Sequence, residues 1–350
     1  MSLPLDLPID PMLASAVDRI PDGPGFAHEP KWDGFRCIIS RDGDRIALDG
    51  RGKKPLTPYF PEVVSALSSW LPDGAILDAE LIVRAGQPGA QHLDWDALSA
   101  RIHPAASRIA LLSEQTPAEL VCFDVLALDG ADLTGLIWDE RRDRLESVFA
   151  SAADRHRGAH LSAVMLDLAE AQRAFERFEG AGLDGVVSKP RDSLYLPGKR
   201  GWKKTKHSRT AEAVVIGYRI HKSGHGVGSL LLGMYDESGT LVPVGGIGAF
   251  SDAMRERLID ELDPLVLRDA EGAAVMLDKP RSRFSKADAV QSMALRPELV
   301  VEVAFDQLQG ARFRHAVSLL RFRPDRDARS CLLDQVERAP SYDLARVLAD

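Results

Sequence analysis

Apolar and polar positions alternate with a period of two over much of the first half of the chain, and short helical periods interrupt them. The segments 35-FRCIIS-40 and 45-RIALDG-50 flank Arg41-Asp42-Gly43-Asp44 and predict a hairpin. Further strands are predicted at 75-AILDAELIV-83, 119-ELVCFDVLAL-128 and 184-DGVVSK-189, each short, rich in β-branched residues and bounded by turn formers. Helical spacing in 139-DERRDRLESVFASA-152 puts Leu145, Val148 and Phe149 on one face. A second helix starts near Leu168, where Asp167 and Glu170 have capping-box spacing, and ends at Gly180 and Gly182. After about residue 209 strands dominate: 212-EAVVIGYRI-220, 229-SLLLGMYD-236, 240-TLVPVGGIG-248 and 298-ELVVEVAFDQL-308, with one helix at 251-SDAMRERLIDEL-262. The fold class expected is α+β, with an antiparallel strand-and-helix domain over 1–208 and a small closed barrel of the OB kind over 209–350.

Composition is compatible with two ordinary domains: 350 residues, 45% hydrophobic and 27% charged. No apolar run reaches the roughly 18 residues of a membrane span, and 1-MSLPLDLPIDPM-12 has neither the basic nor the apolar part of a signal peptide. A cytoplasmic monomer is therefore expected. Cys37, Cys122 and Cys331 are widely spaced and odd in number, which predicts reduced core thiols rather than a disulfide frame or zinc site. The net charge is −8, yet 189-KPRDSLYLPGKRGWKKTKHSR-209 carries eight basic residues against one acidic, and 312-RFRHAVSLLRFRPDRDAR-329 six against two. Such clustering predicts a polyanionic partner despite the net charge.

The candidate chemistry centres on 29-EPKWDGFR-36. A lysine amine that attacks phosphorus forms a phosphoramidate, which divides one hard transfer into two easier ones. With an unperturbed pKa of about 10.4, only roughly one lysine in several thousand is neutral at pH 7, so nearby cations or desolvation must act on it. Carboxylates alone shift a lysine the wrong way, whereas carboxylates holding Mg²⁺ do not. Glu80 and Asp184 on separate strands, with Asp33 beside Lys31, supply hard oxygen ligands, although Glu80 alone reads as a solvated strand-end carboxylate. Lys189, Lys204 and Lys206 offer charge to a phosphate chain, and a strand through 202-WKKTK-206 points Lys204 and Lys206 to one face. Phe123 in 122-CFDVL-126 can stack a base or lie in the core.

Taken in order, Lys31-x-Asp33-Gly34-x-Arg36, Arg51, Asp78-x-Glu80, Phe123-Asp124, 184-DGVVSK-189 and 202-WKKTK-206 resemble the motif series of the covalent nucleotidyltransferases, and 321-RFRPDR-326 resembles their last motif, borne on an OB domain. These are DNA ligases, RNA ligases and mRNA capping enzymes. Over nearly the whole chain the resemblance is to bacterial ATP-dependent DNA ligases of the small two-domain, C-type kind. It implies that Lys31 takes AMP from ATP and passes it to the 5′-phosphate of nicked duplex DNA, where the 3′-hydroxyl displaces it. It implies that Glu29 reads the adenine amino group, that Arg36 and Arg51 contact ribose or phosphate, and that Phe123 stacks on adenine. Glu80 and Asp184 then serve metal and ribose, Lys204 and Lys206 the α-phosphate, and Arg321 and Arg323 the departing pyrophosphate when the second domain closes about a hinge at 207–211. Lys189, Lys199, Arg200 and Lys203 are assigned to DNA phosphates, Mg²⁺ or Mn²⁺ to the metal, and Ku-like or polymerase repair partners are left open. Asp184 stands where many members carry Glu, Ala79 replaces a common Gly, Gly50 a frequent Ser or Thr, and Arg326 a usual Lys.

Two alternatives remain at this level: a GTP-using capping enzyme with the same lysine chemistry, and a non-catalytic OB-fold DNA-binding module. The basic run at 199–209 generates the first expectation, which holds for either DNA-binding reading. Affinity for duplex DNA should fall steeply as salt rises, because phosphate contacts release counterions. A flat plot of log affinity against log salt would remove this surface from DNA binding.

Overall fold

The side chains that alternate in sequence separate onto the two faces of one large sheet, and that separation positions everything described below. The computed structural model describes residues 3–152, 158–277, 292–314, 317–336 and 340–348. Along the strand Phe35–Asp42, Cys37 and Ile39 enter an apolar cluster with the helices Pro61–Ser68 and Trp138–Ser151, while Ile38 enters a second cluster. Along Ile76–Ala85, Leu77, Ala79, Leu81 and Val83 join the helix side, and Ile76 and Ile82 the other. In Ala118–Leu128, Cys122 lies with the helices and Phe123 opposite. This period of two is what pleating imposes.

The opposite face packs on a smaller sheet. Its strands run in the order Leu13–Ala16, Arg200–Lys206, Gly185–Pro190 and Phe26–Pro30, with the first pair parallel and the others antiparallel. The larger sheet orders Ala159–Leu161, Ala118–Leu128, Ile76–Ala85, Phe35–Asp42, Arg45–Gly50 and Lys54–Pro55. Between them lies a cluster that includes Met12, Trp32, Ile38, Phe123, Tyr195 and Trp202. The expected hairpin is present, with Asp42 paired to Arg45 across Gly43-Asp44. Leu145, Val148 and Phe149 are buried on one helix face as expected, and Asp167 caps Leu168–Phe178 by accepting from the Glu170 N–H at 2.9 Å. The strands Leu13–Ala16 and Phe26–Pro30 are not apparent in the sequence pattern, since the first is four residues long and the second, of five residues, holds proline and charge.

The second unit, His207–Arg338, is a barrel. Its strands run Leu241–Ile247, Val227–Tyr235, Arg209–Ile220, Val300–Phe305 and Ser318–Phe322, antiparallel throughout, and a bridge between Ile247 and Val317 joins the two ends. Ser251 caps the helix Asp252–Leu262, whose Leu258 and Leu262 enter the barrel core. Within the basic segment 312–329, Arg321 stands on a strand; positions 315 and 316 lie outside the described residues.

The domain limits need correction. The first unit ends at Lys206, not 208, and residues 340–348 belong to it rather than to the barrel. The physical reason is apolar: Leu344, Val347 and Leu348 are buried in the cluster between the two sheets. Asp343 accepts from the Gln91 N–H at 3.0 Å, and the Leu344 N–H donates to the Gln91 carbonyl at 2.9 Å.

Arg141 fastens the helix Trp138–Ser151 to the strand behind Phe123. It is fully buried, donates to both Asp124 oxygens at 2.8 and 3.1 Å, and reaches the carbonyls of Leu136 and Ser193 at 2.7 and 3.0 Å. Removing one member of a buried pair strands the other charge in a medium that solvates it poorly. Arg141→Met should therefore lower the unfolding free energy in urea by about 3–5 kcal/mol. A loss below about 1 kcal/mol would mean that Asp124 finds another partner.

Candidate active site

Lys31 follows directly on the strand Phe26–Pro30, not only ahead of the next one, and its backbone is clamped on both sides. Its N–H donates to the Gly185 carbonyl at 2.8 Å, and its own carbonyl accepts from the Asp184 N–H at 3.1 Å. Three residues on, Gly34 crosses the strand Ile76–Ala85 so closely that a Cβ there would stand 1.9 Å from the Leu81 carbonyl oxygen. The Gly34 N–H donates to Glu80 at 2.9 Å. Gly185 has φ +142°, and a Cβ on it would lie 2.1 Å from the Thr205 carbonyl oxygen. Both Asp-Gly steps of the motif series are thus places where backbone must touch backbone.

The Lys31 amine donates to Asp184 at 2.6 Å, and Lys206 approaches the same oxygen at 3.2 Å. Asp184 is nearly inaccessible, at 2% of its side-chain surface. Burial opposes its charge, but the two lysines outweigh that and hold its pKa below the ordinary range. Thr205 is buried between Lys204 and Lys206, so the strand Arg200–Lys206 does turn those lysines to one face. Burial, with Lys31 and Lys206 close by, pushes the Lys204 pKa down.

An open cleft of about 220 Å³ lies in front of Lys31. Its lining brings together Glu29, Lys31, Arg36, Arg51, Glu80, Phe123, Lys189, Arg200 and Lys204, with Trp32, Val187 and Trp202 as apolar wall. Arg36 is fixed by Asp78 through two hydrogen bonds of 2.7 and 2.5 Å, and Asp78 also accepts from the Tyr195 hydroxyl at 2.6 Å. Burial works against the Arg36 charge, yet Asp78 outweighs it and keeps the pKa above its usual range. The guanidinium stands 5.0 Å from the Phe123 ring centre and 4.9 Å from that of Trp202.

Glu80 is not a solvated strand-end group. It sits in the middle of Ile76–Ala85, half-buried, and burial raises its pKa to about 7 against the opposing pull of Lys31 and Arg36. Lys189 also departs from expectation. A residue meant for DNA phosphates on the surface is 1% exposed, with its amine 2.7 Å from Glu29 and donating to the Phe123 carbonyl at 2.9 Å. Burial lowers its pKa while Glu29 and Asp124 oppose the shift. Lys199 and Arg200 are exposed and Lys203 half-buried. Arg321 and Arg323 stand in the second unit, each in ion pairs: Arg321 with Glu302 at 2.7 Å, Arg323 with Asp325 at 2.8 Å and with Glu212. Asp78, Tyr195 and Trp202 were assigned no role from sequence. Asp78 shares the parity of Glu80 and was in principle legible; Tyr195 lies in an aperiodic loop.

Among the described residues no group of three or more His, Cys, Asp or Glu side chains is placed to hold a metal alone. Glu80 and Asp184, whose Oδ1 makes no hydrogen bond, fit instead a hard cation that keeps most of its ligands as water and phosphate oxygen. No helix among the described residues is long and apolar enough to cross a membrane.

Comparison with known proteins identifies the family. The model of the ATP dependent DNA ligase domain matches residues 11–206, and that of the ATP dependent DNA ligase C terminal region matches 223–326. DNA ligase C2 of Mycolicibacterium smegmatis is 48% identical over 97% of each chain, and DNA ligase C of Mycobacterium tuberculosis 46% identical over 99% of each. A solved structure of a Lig E DNA ligase shares the fold, with a TM-score of 0.56 at 17% identity over 89% of this chain and 99% of that one. With a family model spanning more than half its length and relatives nearly half identical from end to end, the chain belongs to the ATP-dependent DNA ligases.

Proposed function

We propose that this ligase seals nicks in duplex DNA through an AMP held on the Lys31 amine. The observation that carries the reading is the cleft itself: Lys31, Arg36, Arg51, Lys189, Arg200 and Lys204 line it against only Glu29 and Glu80, an excess of positive charge that suits a triphosphate. The Lys31 ammonium first gives one proton to solvent; its nitrogen then attacks the α-phosphorus of ATP, an N–P bond forms, the bond to the pyrophosphate oxygen breaks, and a second proton leaves the nitrogen for solvent. A 5′-phosphate oxygen then displaces Lys31 from AMP, and the 3′-hydroxyl displaces AMP to close the strand.

Each side chain takes a role that its surroundings favour. Glu29, buried beside Lys189, accepts from the adenine amino group, and Phe123 supplies the stacking face. Arg36, held by Asp78, offers a fixed guanidinium to ribose or phosphate, and the exposed Arg51 a second. Lys204 and Lys206 meet the α-phosphate. Asp184, which accepts from the Lys31 amine at 2.6 Å, acts as the ion-pair partner that aims it. Glu80 and Asp184 are the residues that would hold Mg²⁺, or Mn²⁺ on the same oxygen ligands, and the ion would supply charge neutralisation at the phosphates. Arg321 and Arg323 orient pyrophosphate after exchanging their present partners for it, and Lys199, Arg200 and Lys203 meet the DNA backbone. We place the reaction in DNA repair in the cytoplasm, carried out by a monomer; Ku-like or polymerase partners are to be sought by co-purification from cells with damaged DNA.

Labelled ATP should mark the protein covalently in the presence of Mg²⁺, and nicked duplex should discharge the label as the strand is sealed. Lys31→Ala should abolish label and sealing while nick binding persists. Label from GTP in place of ATP would move the protein to the capping branch, and absence of label from unmodified protein would leave a DNA-binding module.

A second expectation comes from Glu80. With its pKa raised to about 7, the carboxylate is protonated as pH falls through 7, and proton and metal compete for it. The acid midpoint of the self-adenylation rate should shift to lower pH as Mg²⁺ is raised. A midpoint that ignores Mg²⁺ would take Glu80 out of metal binding.

A further inference from the structure

Residues 191–199 join the paired strands Gly185–Pro190 and Arg200–Lys206, and they carry two leucines outward. Leu194 is 42% exposed and Leu196 48%, while Tyr195 between them is 1% exposed. A lone exposed leucine on a surface is ordinary. This pair differs because the backbone beneath it is held along its length. Tyr195 anchors the middle through its hydroxyl, donating to Asp78 at 2.6 Å and accepting from the Met12 N–H at 3.0 Å, and its own N–H donates to the Thr134 carbonyl at 3.1 Å. The Lys199 carbonyl accepts from the Leu13 N–H at 2.7 Å. The leucines are presented by a rigid loop, not released by a loose one.

What lies beside them indicates the occupant. Lys199 at the end of the loop and Arg200 at the start of the next strand are both exposed, and Arg200 also lines the cleft in front of Lys31. Because Arg200 joins this loop to the cleft, a 5′-phosphate delivered to AMP there would carry its duplex toward the loop. Nucleic acid offers apolar surface there chiefly on its sugar rings, next to the phosphates that the basic residues attract.

We propose that Leu194 and Leu196 pack against deoxyribose rings flanking the nick, giving an apolar contact that phosphate attraction does not supply. This rests on the nick-sealing reading above. Salt separates the two kinds of contact, because only phosphate neutralisation releases counterions.

The test uses the full chain with Leu194→Ser and Leu196→Ser together, pre-adenylated, titrated onto a fluorescent nicked duplex in EDTA over a salt series. Nick affinity should weaken by about tenfold at every salt concentration, the loss expected when two half-exposed leucines no longer bury their surface. The slope of log affinity against log salt should stay unchanged, and self-adenylation by ATP should remain within about twofold. Unchanged affinity would overturn the proposal and leave a protein partner as the occupant, and a weakening confined to a changed salt slope would overturn it equally. Failure of the nick-sealing reading shows differently, as absence of ATP label or of sealing in the unsubstituted protein.

Discussion

The buried carboxylate of Asp184 between the amines of Lys31 and Lys206 is the interaction on which the site depends. A carboxylate this far from water is costly unless paired, and two lysines approach it from separate segments, one behind the strand Phe26–Pro30 and one at the end of Arg200–Lys206. Satisfying it draws both segments to the edge of Gly185–Pro190. The same contact gathers the Lys31 and Lys206 amines around one oxygen, at 2.6 and 3.2 Å.

Around this centre the molecule divides its labour by pleat parity. On the large sheet the odd positions of Ile76–Ala85 build an apolar face under helices, so the even positions Asp78 and Glu80 are left to the layer between the sheets. Most of that layer is apolar, closed by aromatic rings and by Leu344, Val347 and Leu348 from the returning C-terminal residues. Its open end is polar, with Arg36 held by two hydrogen bonds to Asp78, which Tyr195 fixes in turn. Pre-fixed cations spare the ordering cost that binding would otherwise meet.

Much of this was legible in sequence where the signal was local. Period-two alternation places the strands bearing Arg36, Glu80 and Phe123, spacing turns Lys204 and Lys206 to one face, and the motif order marks Lys31. What the pattern could not show is set by tertiary approach. Lys189 reads as one more cation in a basic run, but its strand lies inside the small sheet, between Arg200–Lys206 and Phe26–Pro30, where the side chain is buried against Glu29. Leu344 and Val347 read as the end of a barrel domain, because nothing local reveals that the chain returns to the first unit. Tyr195 lies in a loop without period, and its tie to Asp78 spans too much sequence to be read from either end.

The most direct test of the central claim is the self-adenylation rate of Asp184→Asn at saturating ATP and Mg²⁺, measured across pH. If Asp184 aims the Lys31 amine, the amide should slow the reaction on the order of a hundredfold at every pH, the usual cost of a misplaced nucleophile. A rate equal to that of the unsubstituted protein would contradict the account, and would mean that Lys31 is positioned by the nucleotide alone.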